Sequence, residues 1–214
     1  MDLAFTKMQG CANDYIYLDC RTGGLPREIE ALARRLSARH VSVGADGVIC
    51  ICAPWTPGAV AAMRIFNADG SEGKMCGNAA RCVGKYVFDM GLTDRTTLTL
   101  ETLSGIKTLS LELCGGKVAQ VRVDMGKAEL LCEKIPVVWS ASRLIGEQVE
   151  IGGKTWDMTC VSMGNPHCVV FCEGVETLAL EQIGPEFEYH PMFPERVNTE
   201  FVEALGRGAL RMRV

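Results

Sequence analysis

Cys76 stands where a turn meets an apolar segment, in the run Asn67-Ala68-Asp69-Gly70-Ser71-Glu72-Gly73-Lys74-Met75-Cys76-Gly77-Asn78-Ala79-Ala80-Arg81-Cys82. The order is a strand end, a Gly- and Asp-bearing turn, and then a thiol at the mouth of a helix. Unpaired N–H groups and the positive dipole end of a helix N-terminus stabilise a thiolate, so Cys76 is a candidate base. The same N–H groups can bond a carboxylate, and Gly77 leaves room for its approach. Read locally, the triplet Cys76-Gly77-Asn78 is also compatible with a simple capped turn in which Asn78 is the N-cap.

The elements that must position this thiol follow from periodicity. Residues Asn78–Met90 predict a helix closed by Gly91 in a left-handed conformation. Its charged residues Arg81, Lys85 and Asp89 stand four apart and share one stripe, so the rest of its circumference should be buried and the stripe should lie at an opening. Before it, Leu3–Gln9, Tyr15–Cys20, Gly47–Cys52 and Val60–Asn67 read as strands. Pro26–Arg39 reads as a helix with Pro26 at its first position and Ile29, Leu32, Ala33 and Leu36 as its apolar stripe. After it come β-rich segments at Thr97–Glu101, Ile106–Leu113 and Lys117–Asp124, the last two joined through Gly115-Gly116.

A second unit begins after residue 125. It reads as strands near Ile135–Trp139, Thr155–Met163 and Cys168–Phe171, a helix near Glu176–Ile183, and a Pro-rich loop through Pro185, Pro191 and Pro194. Strands at Val197–Ala204 and Leu210–Val214 follow. The halves echo each other weakly: Gly10-Cys11-Ala12-Asn13-Asp14-Tyr15 resembles Gly164-Asn165-Pro166-His167-Cys168, and Met63-Arg64-Ile65-Phe66 resembles Leu210-Arg211-Met212-Arg213.

Composition narrows the function classes. The 214 residues are 48% hydrophobic, enough for a large core or two modest ones, and we expect two domains, 1–125 and 126–214. A net charge of −4 supplies no basic footprint for nucleic acid or an anionic membrane. The N-terminus lacks the pattern of a signal peptide and no apolar run approaches a membrane span, which predicts a cytoplasmic protein. Eleven cysteines are an odd number and read mainly as small buried apolar residues kept reduced.

The extended run from Asn67 to Cys82 closely resembles the first active-site signature of the diaminopimelate epimerases. Further segments match the family in order: Lys7-Met8-Gln9-Gly10 leading to Asn13-Asp14-Tyr15, Arg39-His40 with Val43-Gly44-Ala45-Asp46-Gly47, Met163-Gly164-Asn165-Pro166-His167, and Arg196-Val197-Asn198-Thr199-Glu200-Phe201. The resemblance spans the chain. It implies an α/β (α+β) fold of two pseudo-symmetric domains, each a mixed, mainly antiparallel sheet wrapped around a central helix, with the second domain incomplete.

It also implies a chemistry. One cysteine removes the substrate's α-proton while another, on the opposite face, donates one, without pyridoxal phosphate or metal. Cys76 is by resemblance one of the pair, Asn13, Asn67, Gly77, Asn78, Asn165 and Asn198 are substrate contacts, and His167 is the histidine that tunes a catalytic cysteine. Amides suit a zwitterionic ligand, offering donor and acceptor without net charge. In the family, the second cysteine lies in a Cys-Gly-Thr segment that would follow Val214. The expectation is therefore that the 214-residue chain alone is inactive, or is a ligand-binding module, and that an uncovered sheet face favours a homodimer.

Two departures from the family pattern stand out: Ala12 where glycine is commoner, and Gly47 where some members place a substrate-contacting glutamine. Competing readings are weaker. A metal site from Cys160, His167, Cys168 and Cys172 lacks a Cys-x-x-Cys pair, and a redox or thiol-peptidase role for Cys76 lacks a resolving Cys or a His–Asn partnership. The related proline racemase type usually has His where Asn78 stands, which favours a diamino-dicarboxylate.

Overall fold

A computed structural model describes residues 3–214. The chain divides into two compact units, the first ending at Met125 and the second running Gly126–Val214.

The first unit is an eight-stranded sheet with two helices. Its strands are β1 (Thr6–Gly10), β2 (Asn13–Cys20), β3 (Gly47–Cys52), β4 (Ala61–Asn67), β5 (Glu72–Gly73), β6 (Thr97–Thr102), β7 (Gly105–Cys114) and β8 (Lys117–Asp124), with helix α1 (Ile29–Ser37) between β2 and β3 and helix α2 (Gly77–Asp89) between β5 and β6. Strand order is β1-β2-β3-β4-β6-β7-β8, with β5 paired to β4. The β2–β3 and β4–β6 pairs are parallel and the others antiparallel.

Alternation along β2–β4 explains the layering, because successive side chains of a strand point to opposite faces. Tyr15, Tyr17, Ile49, Ile51, Met63 and Ile65 pack on the α2 side, whereas Ile16, Leu18, Val48, Cys50 and Phe66 pack on the α1 side. Both faces of the central strands are therefore buried, each full burial of a Leu, Ile or Phe side chain contributing about 1.5–3 kcal/mol. The two ends of the sheet, β1 and β8, both touch α2, so the sheet curls around that helix. Ala79, Ala80, Cys82, Val83, Gly84 and Val87 are its buried residues, and Gly91 takes the left-handed φ of 69° that closes it.

Two expectations for this unit change in detail. Pro26 is not the first helical residue: Glu28 adopts a left-handed backbone, and α1 starts at Ile29. The stripe itself holds, with Ile29 and Ala33 buried and Leu32 and Leu36 packed against them. The polar stripe of α2 does not simply face an opening. Lys85 donates to Asp89 and to the Val118 carbonyl, and Asp89 accepts from the Val118 N–H, so its outer part clamps the start of β8.

The second unit contains β9 (Ile145–Ile151), β10 (Lys154–Ser162), β11 (Pro166–Phe171), helix α3 (Leu180–Glu188), β12 (Asn198–Gly206) and β13 (Ala209–Arg213). Strand order is β13-β12-β11-β10-β9, all antiparallel except β11–β12. The path β10-β11-α3-β12-β13 repeats β1-β2-α1-β3-β4: an antiparallel pair, a helical crossover to a parallel strand, and an antiparallel return. This is the pseudo-symmetry to which the two sequence echoes point. Phe187 of α3 meets Trp156 and Phe201 in edge-to-face contacts, with centroids 5.2–5.6 Å apart, which anchors the helix on the sheet. A sheet wrapped around a helix is seen in the first unit; in the second, the described residues place α3 on one face.

Three assignments in this unit are corrected. The apolar run Ile135–Trp139 is not a strand: a 3-10 turn at Cys132–Lys134 precedes it, and Ile135 and Val137 plug the core from an irregular segment. The edge strand β9 has no counterpart among the elements expected from periodicity. The helix begins later than expected, at Leu180 after a 3-10 turn at Val175–Thr177, and it contains Pro185, which belongs to the helix and not to the following loop.

Candidate active site

Cys76 is itself the N-cap of α2, with extended backbone, and its Sγ accepts from the Ala79 N–H at 3.5 Å. Asn78, the alternative cap, lies inside the first turn. A strained turn brings Asn13 to this thiol: Cys11 and Ala12 both take left-handed φ values, 54° and 64°, between β1 and β2. That backbone is what glycine tolerates best, so alanine at position 12 holds it at a steric cost. The Cys76 S–H donates to Asn13 Oδ1 at 3.5 Å.

Asn13 is held from behind. Its Nδ2 donates to Asp46 Oδ2 at 2.7 Å, an oxygen that also accepts the Asp14 N–H at 2.9 Å. Arg39 bridges Asp46 and Asp14, and Lys7 pairs with Asp14 from the other side. Hydrogen bonds from Arg39 and then Lys7 hold the Asp14 carboxyl down at about 2. Burial, and then the adjacent Cys76 sulfur, push the Tyr15 phenol well above its usual range. It therefore remains a protonated donor, with Cys76 and Asn13 as its neighbours.

The other predicted residues of this unit frame the helix mouth. Asn67 ends β4 and donates to Ser71 Oγ at 3.0 Å, bracing the turn that delivers the thiol. Asn78 Oδ1 accepts from Arg81, whose guanidinium also reaches Cys11 Sγ at 3.2 Å. Gly77, Asn78 and Arg81 line a depression with Glu112, Arg122 and Met125. Gly47 leaves no room for a side chain: a Cβ there would overlap the Phe66 carbonyl oxygen and lie 3.1 Å from Asn67 Cα and from Tyr15 Cε1. A glutamine at this position has no counterpart here.

Asn165, His167 and Asn198 form a separate cluster in the second unit. His167 opposes Asn198 in the parallel β11–β12 register, and Asn198 Nδ2 donates to the Pro166 carbonyl at 3.1 Å. His167 Nδ1 lies 2.6 Å from Glu200 Oε1, and Nε2 lies 3.0 Å from Asn165 Oδ1. Cys160 and Cys168 instead point into the core on the other face of the sheet. Among the described residues, no group of three or more His, Cys, Asp or Glu side chains could hold a metal ion.

Asp46, Tyr15 and Arg39 join the Cys76 cluster, and Glu200 the separate His167 cluster, without having stood out in the sequence as functional residues. All four lie in the quoted motifs, but their roles depend on contacts far apart in the chain, such as Arg39 with Asp14 and Asp46 with Asn13. The one local signal is the two-residue spacing of Asn198 and Glu200, which puts them on one face of β12.

Known proteins give a consistent answer. A profile of the family described as diaminopimelate epimerase matches residues 5–131 and 159–214. The chain belongs to the diaminopimelate epimerase family. It is 49% identical over 214 residues to the diaminopimelate epimerase of Acetivibrio thermocellus, covering 99% of this chain and 75% of that one. Over 212 residues it is also 49% identical to the diaminopimelate epimerase of Phocaeicola vulgatus, with 99% and 74% coverage.

The epimerase fold extends to more distant solved structures. A probable proline racemase from Agrobacterium radiobacter superposes with a TM-score of 0.67 at 16% identity, covering 99% of this chain and 69% of that one. A hydroxyproline epimerase from Agrobacterium vitis gives 0.65 at 15% identity, with 97% and 68% coverage. At such identities the likeness concerns the fold alone. As a diaminopimelate epimerase family member the chain is an amino-acid epimerase acting on a small molecule. Among its described residues, no helix is long and apolar enough to cross a membrane.

Proposed function

We propose that the protein interconverts LL- and meso-2,6-diaminopimelate, a step toward lysine and peptidoglycan precursors, by a two-base thiol mechanism. The observation that carries this reading is Cys76 as the N-cap of α2, with the Ala79 N–H donating to its sulfur and an acceptor, Asn13 Oδ1, ready for its proton. The thiolate takes the α-proton: the Cα–H bond breaks, its electron pair stays on carbon, and an S–H bond forms. A second acid, by resemblance to the family another cysteine thiol, gives its proton to the carbanion from the opposite face and is left as a thiolate, inverting the centre.

An amino acid's α-proton is weakly acidic, so the developing charge needs preorganised donors. We assign the free N–H groups at Gly77 and Asn78 to the substrate α-carboxylate. Asn13 and Asn67 are assigned as further substrate contacts, as are Asn165 and Asn198, and His167 is assigned to tuning a catalytic cysteine. None of these steps calls on a cofactor.

The relatives' names and the Asn at position 78 favour an open-chain diamino-dicarboxylate over a cyclic amino acid. We place the protein in the cytoplasm, in keeping with eleven cysteines that are all free thiols. The net charge of −4 favours neither nucleic-acid nor anionic-membrane binding. A homodimer is supported by Phe171 and Met212, exposed side chains flanking Val202 in one row across β11–β13. Sedimentation as a monomer would remove that assignment.

The deciding experiment follows the α-proton by NMR in deuterium oxide. Diaminopimelate should exchange with solvent, proline should not, and Cys76→Ala should abolish the exchange. Exchange that survives in the Cys76→Ala variant assigns the base elsewhere; exchange of proline alone favours the racemase type.

A further inference from the structure

We propose that Asp46 is a positioning residue for this site: it fixes the orientation of the Asn13 side-chain amide and so makes the Asn13 carbonyl oxygen, not its NH2, face the Cys76 sulfur. The proposal rests on Cys76 being the reacting thiol.

A carboxylate only accepts hydrogen bonds, so the group of Asn13 that lies 2.7 Å from Asp46 Oδ2 must be the NH2. Rotating the amide by half a turn would press two acceptors together at that distance. Asp46 cannot turn away to relieve the contact. Its Oδ2 also holds the Asp14 N–H, its Oδ1 holds Arg39 at 2.9 Å, and its backbone N–H donates to the Asp14 carbonyl at 2.8 Å. The neighbouring Asp14, gripped by Arg39 and Lys7, fixes the same corner from the β2 side.

The consequence falls on the sulfur. An S–H can donate to Asn13 Oδ1, whereas a thiolate at 3.5 Å faces its lone pairs. Against this, the Ala79 N–H donates to the same sulfur, and a thiolate is the stronger acceptor for that bond. Cys76 therefore has neighbours suited to each protonation state. The proton that arrives from the substrate carbon finds an acceptor already aimed at it. Were the amide free to rotate, it would follow the charge, offering NH2 to the thiolate and leaving the S–H without an acceptor held in place for it.

Two measurements on the full chain test the lock. With side-chain 15N labelling of Asn, one Asn13 amide proton, identified by its loss in Asn13→Ala, should be shifted downfield by its bond to a carboxylate in the unmutated protein. That signature should vanish in Asp46→Asn. Two ordinary Asn13 amide protons in the unmutated protein overturn the proposal, whatever the fate of the variant.

The second measurement is the iodoacetamide rate at Cys76, read by mass spectrometry. Asp46→Asn should raise it about fivefold by freeing the amide and removing a charge, but about twofold or less in an Asn13→Ala background, where only the charge is lost. Equal factors in both backgrounds would mean that Asp46 acts through charge alone, and the lock is wrong. If Cys76 in the unmutated chain is no more reactive than the other thiols, the underlying reading of the site fails instead, independently of the amide signature.

Discussion

His167 Nδ1 and Glu200 Oε1 lie 2.6 Å apart across the parallel strands β11 and β12. Because a carboxylate accepts, Nδ1 carries a hydrogen; Nε2 then either donates to the Asn165 oxygen in the protonated ring or, with the amide turned, accepts from its NH2 in the neutral one. The other Glu200 oxygen is buried and has no hydrogen-bond partner among the described residues, so among them the imidazole is the carboxylate's partner.

Glu200→Gln should therefore loosen the ring. On the proposal that His167 tunes a catalytic cysteine, we expect α-proton exchange to fall by about tenfold, as when a metal-bound histidine loses the partner that orients it, with little change in KM. The 15N shifts of the His167 ring should move in parallel. Unaltered rate and shifts would show the pair to be incidental.

Cys76 should alkylate faster near neutral pH than the other ten cysteines, because it alone among the described residues is a cysteine capping an α-helix N-terminus. Peptide mapping after brief iodoacetamide treatment reads this directly. A Cys76→Ala variant that keeps the fast phase identifies a different thiol.

Asp14 predicts a pH dependence of stability. Its pKa in the fold is about 2, below the ordinary 3.8, so its contribution is complete above about pH 4 and is lost as pH falls toward 2. Urea denaturation at a series of acidic pH values should show a shallower decline for Asp14→Asn than for the parent. Parallel declines would assign the acid sensitivity to other carboxylates.

Gly47→Ala should destabilise the first unit by about 1–3 kcal/mol or more, since the new methyl meets the Phe66 carbonyl, which is backbone and cannot rotate aside. A shift in urea midpoint equivalent to less than about 0.5 kcal/mol would mean that β3 and β4 separate more easily than their pairing suggests.

Ala12→Gly should act the other way. Relief of a left-handed alanine, offset by the extra freedom of glycine in the unfolded chain, leaves about 0.5 kcal/mol of stabilisation. A destabilised variant would show that the turn gains something from the methyl group.

Much of the site is legible in the sequence because it is local. The Cys76 motif carries its strand end, turn and helix in one stretch of residues, and the buried periodicity of α2 marks it as central. What escapes the sequence is set by distant partners. Asp46, beside a glycine, reads as a turn residue until β2 and β3 pair and bring it to Asn13. The run at Ile135 has the alternation of a strand, with Ile135 and Val137 buried and Val138 exposed, but no neighbouring strand among the described residues pairs with it; Val138 instead bonds to the Met192 carbonyl. Strand β9 has the opposite character: it is a polar edge, with Val149 and Ile151 alone buried, and its pairing with β10 makes it a strand.

The Cys76 cap has one more implication. A thiolate is a stronger acceptor than a thiol, so the first turn of α2 should tighten each time Cys76 gives up its proton and slacken each time it regains it. The Ala79 amide, donating to that sulfur, is then a built-in gauge: its hydrogen–deuterium exchange rate records the protonation state of the sulfur from inside the helix, without a substrate or a chemical label.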